Sequence, residues 1–151
     1  MKLKIEIDPN APKELILRSP VIDDEVRRVQ EALEQALSSP GEIALKSSSG
    51  ELFLPYAEIL FFEVSDNKVY AHTETNCYVC PMRITELADI LPRSFCRTSK
   101  SALINVMKIR SIVRSATGVG EVSFNGSGKK AFISRNYYKV VRENIEEMRL
   151  K

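Results

Sequence analysis

A chain of 151 residues with 44% hydrophobic and 28% charged residues is expected to fold as one domain, or one domain with a small appendage, without needing disulfides or a metal. No apolar run approaches membrane-spanning length, and the alternating start Met1-Lys2-Leu3-Lys4-Ile5-Glu6 argues against a secretory leader, so a cytoplasmic protein without membrane insertion is expected. The net charge of +2 hides a division: residues 1–90 carry 9 Lys/Arg against 16 Asp/Glu (−7), and residues 91–151 carry 13 against 4 (+9). A basic half of this kind suits a polyanion, unless the halves interleave in the fold and the charge evens out.

Residues 2–7 alternate Leu3, Ile5 and Ile7 with Lys4 and Glu6, the pattern of a half-buried strand, and Leu15-Ile16-Leu17 reads as a second. Ser19-Pro20 then fits a helix start, with Asp23, Asp24 and Glu25 in the first turn. Ile22, Val26, Val29, Leu33 and Leu37 follow at helical spacing, and Ser38-Ser39-Pro40-Gly41 ends the helix. Residues 1–40 are therefore read as an N-terminal α+β segment that packs or dimerises, and residues 41–151 as the main domain.

From Glu42 the chain changes to short strands. Ile43-Ala44-Leu45 and Leu52-Phe53-Leu54 flank a hairpin turn at Ser47–Gly50, and Pro55–Glu58 is a turn or one helical turn. Ile59–Val64 is a buried strand, Ser65–Lys68 a turn, Val69–Thr73 the returning strand, and Cys77–Met82 another. Ile84, Leu87, Ala88 and Leu91 mark a short helix stopped at Pro92. Ile109–Val113 and Gly120–Phe124 alternate around Ala116-Thr117-Gly118, Asn125-Gly126-Ser127-Gly128 is a hairpin turn, and Lys129–Ile133 leads back. Ser134-Arg135-Asn136 is expected to cap a last helix carrying Tyr138, Val141, Ile145 and Met148 on one face.

Phe95–Asn105 stands out between Pro92 and Met107. It is polar and cationic from Arg97 to Ser101, apolar at both ends, and lies in a window, residues 90–120, with no Asp or Glu and six cations (Arg93, Arg97, Lys100, Lys108, Arg110, Arg114). Hydroxyls beside fixed cations suit phosphate oxygens and base edges. The plainer reading is a strand whose cations point to water.

Chemistry of other kinds finds little support. Cys77-Tyr78-Val79-Cys80 has the C-x-x-C form, but it lacks a second pair and reads as a strand, where positions i and i+3 face opposite ways. The single histidine, His72, has no triad or metal spacing around it, and no Gly-rich phosphate loop is present. No enzyme activity, cofactor, metal or small-molecule substrate is expected.

The order of the pieces resembles the LytTR-type DNA-binding domain of bacterial transcription regulators. Glu58-Ile59-Leu60-Phe61-Phe62-Glu63 is similar to that family's apolar strand ending in an acid, and Leu87 with Leu91-Pro92-Arg93-Ser94-Phe95 to its short helix and exit. Phe95–Asn105 resembles its signature, often F-x-R-x-H-x-S-x-x-V-N, and Asn125-Gly126 with Ser134-Arg135-Asn136-Tyr137 resembles its closing hairpin and S-R-x-Y element. Ser99 stands where a histidine is frequent and Ile104 where valine is common; the R-x-S-K-S form resembles short regulators without a receiver domain. The likeness covers roughly residues 42–151.

The resemblance implies an α+β, mostly β fold of short antiparallel strands with a C-terminal helix, preceded here by a strand-strand-helix segment. It implies a response-regulator-like transcription regulator that binds specific double-stranded DNA through loops and strand ends, as a homodimer. Three places should then face DNA: the turn with Asn67 and Lys68; Arg97, Thr98, Ser99, Lys100 and Ser101, with Lys100 leading; and Ser134, Arg135 and Asn136, with Arg135 the candidate for bidentate contact to guanine. Thr98, Ser99, Lys129, Lys130 and Lys139 are expected on the DNA backbone. Other readings stay open: Asn67 and Asn136 as turn and cap residues, Arg135 as a partner of Glu63, and Asn105 as a buried structural amide. The competing function is a protein-interaction or ligand-sensing β domain whose basic face meets an acidic partner.

Overall fold

Two consecutive phenylalanines set the plan of the larger unit. Neighbouring side chains of an extended chain point to opposite faces, and Phe61 and Phe62 accordingly enter two separate cores. Both faces of the chain are covered at this point, which is why Ile59-Leu60-Phe61-Phe62 reads as an apolar run rather than an alternating one, with Glu63 and Val64 beyond it more exposed.

The computed structural model describes residues 1–38 and 41–150. The chain divides into two units, Met1–Ser39 and Pro40–Lys151. The larger unit holds β1 (Glu42–Ser47), β2 (Gly50–Pro55), β3 (Phe61–Ser65), β4 (Lys68–His72), β5 (Cys77–Cys80), β6 (Phe95–Ser99) and β7 (Ala102–Asn105) in one seven-stranded sheet, ordered β2-β1-β5-β4-β3-β7-β6. A helix, α2 (Ile84–Ile90), joins β5 to β6, and its buried Leu87 enters the core that holds Phe62, Phe95 and Leu103. The second sheet, β8 (Ile109–Arg114), β9 (Gly120–Phe124) and β10 (Lys130–Ile133), is ordered β10-β9-β8. The last helix, α3 (Tyr138–Ile145), places Val141 and Ile145 with Phe61, Ile104, Val122, Phe124 and Ile133 in the other core. All strand pairs are antiparallel. This mostly β architecture with a C-terminal helix is the one the sequence pattern led to.

Local chemistry explains most of the turns. Asp66 and Asn67 connect β3 to β4 with φ of 50° and 62°, a two-residue left-handed turn closed by the pair Ser65↔Lys68. Aspartate and asparagine accept that conformation at lower cost than other side chains, and its twist matches the flanking strands. Asn105 is 3% exposed; its amide donates to the Ile59 carbonyl at 3.1 Å, and its Oδ1 accepts from the Met107 N–H at 3.1 Å. It is a structural amide tying β7 to the start of β3.

Four expectations need correction. Residues 1–23 form no strand: Leu3, Ile5 and Ile7 are 91%, 76% and 90% exposed. An alternating pattern makes a strand only where a partner completes its ladder. The N-terminal helix, α1 (Asp24–Ser38), starts later than Ser19-Pro20, because Asp23 is the better cap: its Oδ1 accepts from the Val26 N–H at 2.9 Å. Ser19 Oγ spends itself on a local turn with Val21. The break expected at 38–41 falls largely on residues 39 and 40, outside the described residues. At the other end, Ser134 makes no side-chain cap; its carbonyl accepts from Tyr137 N at 3.0 Å, giving a 3-10 turn, Arg135–Tyr137, that runs into α3. Phe95–Asn105 is not one strand but a hairpin, with Lys100 and Ser101 at its turn and a register shift between Arg97 and Ser99.

Among the described residues no helix is long and apolar enough to cross a membrane, and no group of three or more His, Cys, Asp and Glu side chains could hold a metal.

Candidate nucleic-acid interface

Backbone hydrogen bonds gather the three predicted segments at one end of the large sheet. β3 and β7 pair with Glu63 opposite Ala102, and one step further Val64 N–H donates to the Ser101 carbonyl at 2.9 Å. The Asp66–Asn67 turn and the Lys100–Ser101 turn therefore leave the sheet side by side. Ser134 N–H donates to the Thr98 carbonyl at 2.8 Å, bringing the start of the Arg135–Tyr137 turn against β6. Asn67, Lys68, Lys100, Ser101, Arg135, Asn136 and Lys139 are all exposed.

The hairpin turn is held in place by its own side chains. The half-exposed Arg97 donates from Nη1 to the Lys100 carbonyl at 2.6 Å, fixing the backbone that carries Lys100. Ser99 Oγ accepts from Ser101 N–H at 3.2 Å and lies 3.3 Å from Ser101 Oγ. Arg97 uses one of its five N–H donors this way and keeps others for an outside acceptor.

Arg135 does not pair with Glu63, which binds His72 instead. Its stem lies along Gly118, where a Cβ would come within 2.9 Å of Arg135 Cγ and where φ is +90°. A glycine is required there on both counts. Arg114 reaches the same loop: its Nε donates to the Gly118 carbonyl at 3.4 Å, and its guanidinium sits 4.1 Å above the Tyr138 ring. Arg114 was visible in sequence only as one of six cations, and its meeting with Arg135 depends on a contact across the β8–β9 loop.

Other predicted contacts are placed elsewhere. Thr98 is 1% exposed, and its buried Oγ1 has no hydrogen-bond partner. The register shift beside it turns the side chain inward, so it cannot reach a phosphate. Thr98→Val should therefore leave DNA affinity unchanged and stability equal or higher by up to about 1 kcal/mol, since a buried unmet hydroxyl is removed without a change of shape. Binding titrations and thermal melts of the variant check both. Lys129 and Lys130 lie at the opposite end of β10 from Ser134. Lys130 pairs with Glu121 at 3.2 Å and donates to Ser123 Oγ at 2.9 Å. Lys129 donates to the Asn76 carbonyl and lies 3.2 Å from His72 Nδ1.

His72 stacks on Phe61 with centroids 4.2 Å apart, and its Nε2 lies 2.8 Å from Glu63 Oε1. An ammonium at Nδ1 can only donate, so the ring is neutral, with Nε2–H donating to Glu63. Burial lowers its pKa from the ordinary 6.5; Glu63 opposes this and Lys129 adds to it. A depressed histidine pKa means that the unfolded chain takes up the proton first. Its stabilising contribution is complete above 6.5 and is lost as pH falls below 6.5 through the lower folded value. The melting temperature should fall between about pH 7.5 and 5.5, and His72→Gln should flatten that slope. The thiols are inert by comparison: burial raises all three, Cys96 to about 11, and none is in a disulfide.

The LytTr DNA-binding domain model matches residues 50–146, from the β1–β2 hairpin to just past α3. This chain belongs to the LytTR DNA-binding domain family. Its LytTR region is similar in fold to a LytTr DNA-binding domain from Bacillus cereus, with a TM-score of 0.65 and 23% identity over 70% of this chain and 96% of that one. Uncharacterised HTH-type transcriptional regulators of Staphylococcus aureus, from strains NCTC 8325 / PS 47 and COL, are each 23% identical over 146 residues, covering 96% of this chain and 98% of theirs. That span takes in most of the N-terminal unit as well as the LytTR domain. A helix-turn-helix needs two helices joined by a short turn. In this LytTR domain five strands separate α2 from α3.

Proposed function

We propose that this LytTR protein regulates transcription by binding specific double-stranded DNA with the end of the large sheet where the Asp66–Asn67, Lys100–Ser101 and Arg135–Tyr137 turns meet. The convergence of those turns carries the reading. Arg135 supplies a planar fork for guanine, Lys100 a mobile cation, and Asn67 an amide for adenine or a phosphate oxygen. Lys68, Arg97, Ser99, Ser101, Ser134, Asn136, Lys139 and Arg114 surround them as phosphate and sugar contacts, which orient the domain without reading sequence. Lys129 and Lys130 are left out of the surface, one serving the β4–β5 turn and the other pairing with Glu121. The role is non-catalytic and cytoplasmic.

The N-terminal unit is assigned to homodimerisation. Leu3, Ile5, Ile7, Ile22 and Leu37 leave apolar surface on a segment that needs a partner to cover it. A monomeric mass by light scattering at micromolar concentration would sink that assignment.

The test of DNA recognition is fluorescence anisotropy with a duplex selected by the protein from a random-sequence pool, against a scrambled duplex, at two salt concentrations. Selective binding that weakens with salt supports the reading. Equal weak binding to both duplexes favours an acidic protein partner for the basic face.

A further inference from the structure

A cleft of about 770 Å³ opens beside the Asp66–Asn67 turn, away from Arg135 and Lys100. It exists because β1 and β5 share one paired position, Lys46↔Val79, and are not zipped along their length. Lys46, Lys68 and Arg83 line it, with Asn67, Ser47 and Ser48 between them; no Asp or Glu is among its lining residues. The three cations are exposed, and none forms an ion pair among the described residues. Glu51 stands opposite Lys46 on β2 but does not line the cleft.

Three unneutralised like charges facing one concavity repel each other, and a concave low-dielectric wall concentrates their field. An anion relieves that repulsion, and the hydroxyl and amide groups between the cations can donate to its oxygens. The occupant is set by continuity: Asn67 and Lys68 belong both to the cleft and to the proposed reading end of the sheet, so a duplex seated on the turns extends past them over β5. We infer that this cleft holds the phosphate backbone of the DNA flanking the recognised site, with Lys46 and Arg83 as contacts that add affinity and no sequence preference. The inference rests on the DNA-binding reading above.

Lys46→Ala/Arg83→Ala tests it, with Arg83→Ala alone as a milder companion. Both side chains are exposed and unpaired, so melting temperatures should stay at the wild-type value. Affinity is read by anisotropy across a salt series, on the selected and the scrambled duplex. Removing two phosphate contacts should flatten the slope of log K against log salt by about 1.8, and by about 0.9 for the single variant. The ratio of affinities for the two duplexes should not change. If the wild type binds selectively and the variants keep its slope, the cleft carries no DNA while the recognition surface stands. A collapse of the affinity ratio would mean that the cleft reads bases, which also overturns the inference. Absence of salt-dependent binding by the wild type to any duplex removes both readings together.

Discussion

Arg135→Ala should lose about 10- to 100-fold in affinity for the selected duplex and leave the melting temperature nearly unchanged. A good bidentate pair with guanine discriminates by about 1–3 kcal/mol, and tenfold in affinity is about 1.4 kcal/mol. The geometry makes the side chain separable from the fold. It is exposed, it makes no ion pair among the described residues, and its stem lies along Gly118. Loss should be greater on the selected duplex than on the scrambled one, because a base contact is what is removed. Lys100→Ala should behave differently: a point charge on phosphate supplies affinity to all sequences, so the loss is smaller and more uniform. A titration in which Arg135→Ala weakens both duplexes equally would reassign Arg135 to the backbone.

Asn105→Ala should destabilise the protein by about 2–4 kcal/mol, a large part of the total for a domain of this size. The amide is 3% exposed and satisfies two backbone groups at once, the Ile59 carbonyl and the Met107 N–H. Removing it leaves both unmet in a closed environment, at about 1–3 kcal/mol each, and opens a small void as well. Denaturant titration should show the midpoint shifted with the slope intact. DNA affinity measured well below the melting temperature should survive, since Asn105 lies at the end of β7 away from the Lys100–Ser101 turn. Unchanged stability would mean that water serves the two backbone groups instead.

The contrast between these two residues shows what sequence could and could not convey. Local signals were legible. Ser65–Lys68 announced a turn, Asn125-Gly126 a hairpin, and Ile59–Val64 a buried strand. The order of such signals was enough to point to the family. Features created by contacts distant in sequence were not legible. Thr98 sits among cations and hydroxyls, yet the register shift of one strand turns it into the core. Lys129 looks like any surface lysine until the β4–β5 turn and His72, 57 residues away, take up its ammonium. Arg114 and Arg135 share a neighbour only because both reach Gly118 in the β8–β9 loop. The strand pattern of residues 2–7 is correct as a pattern, but a strand also requires a neighbour, and sequence does not say whether one will be present.

The most direct measurement is backbone amide NMR of the full chain titrated with the selected duplex. Chemical-shift changes should concentrate at Asn67, Lys68, Ser99–Ser101 and Ser134–Asn136. The amides of Lys129 and Lys130, at the far end of β10, should stay still. Changes centred on that far end, with the three turns unmoved, would contradict the proposed surface.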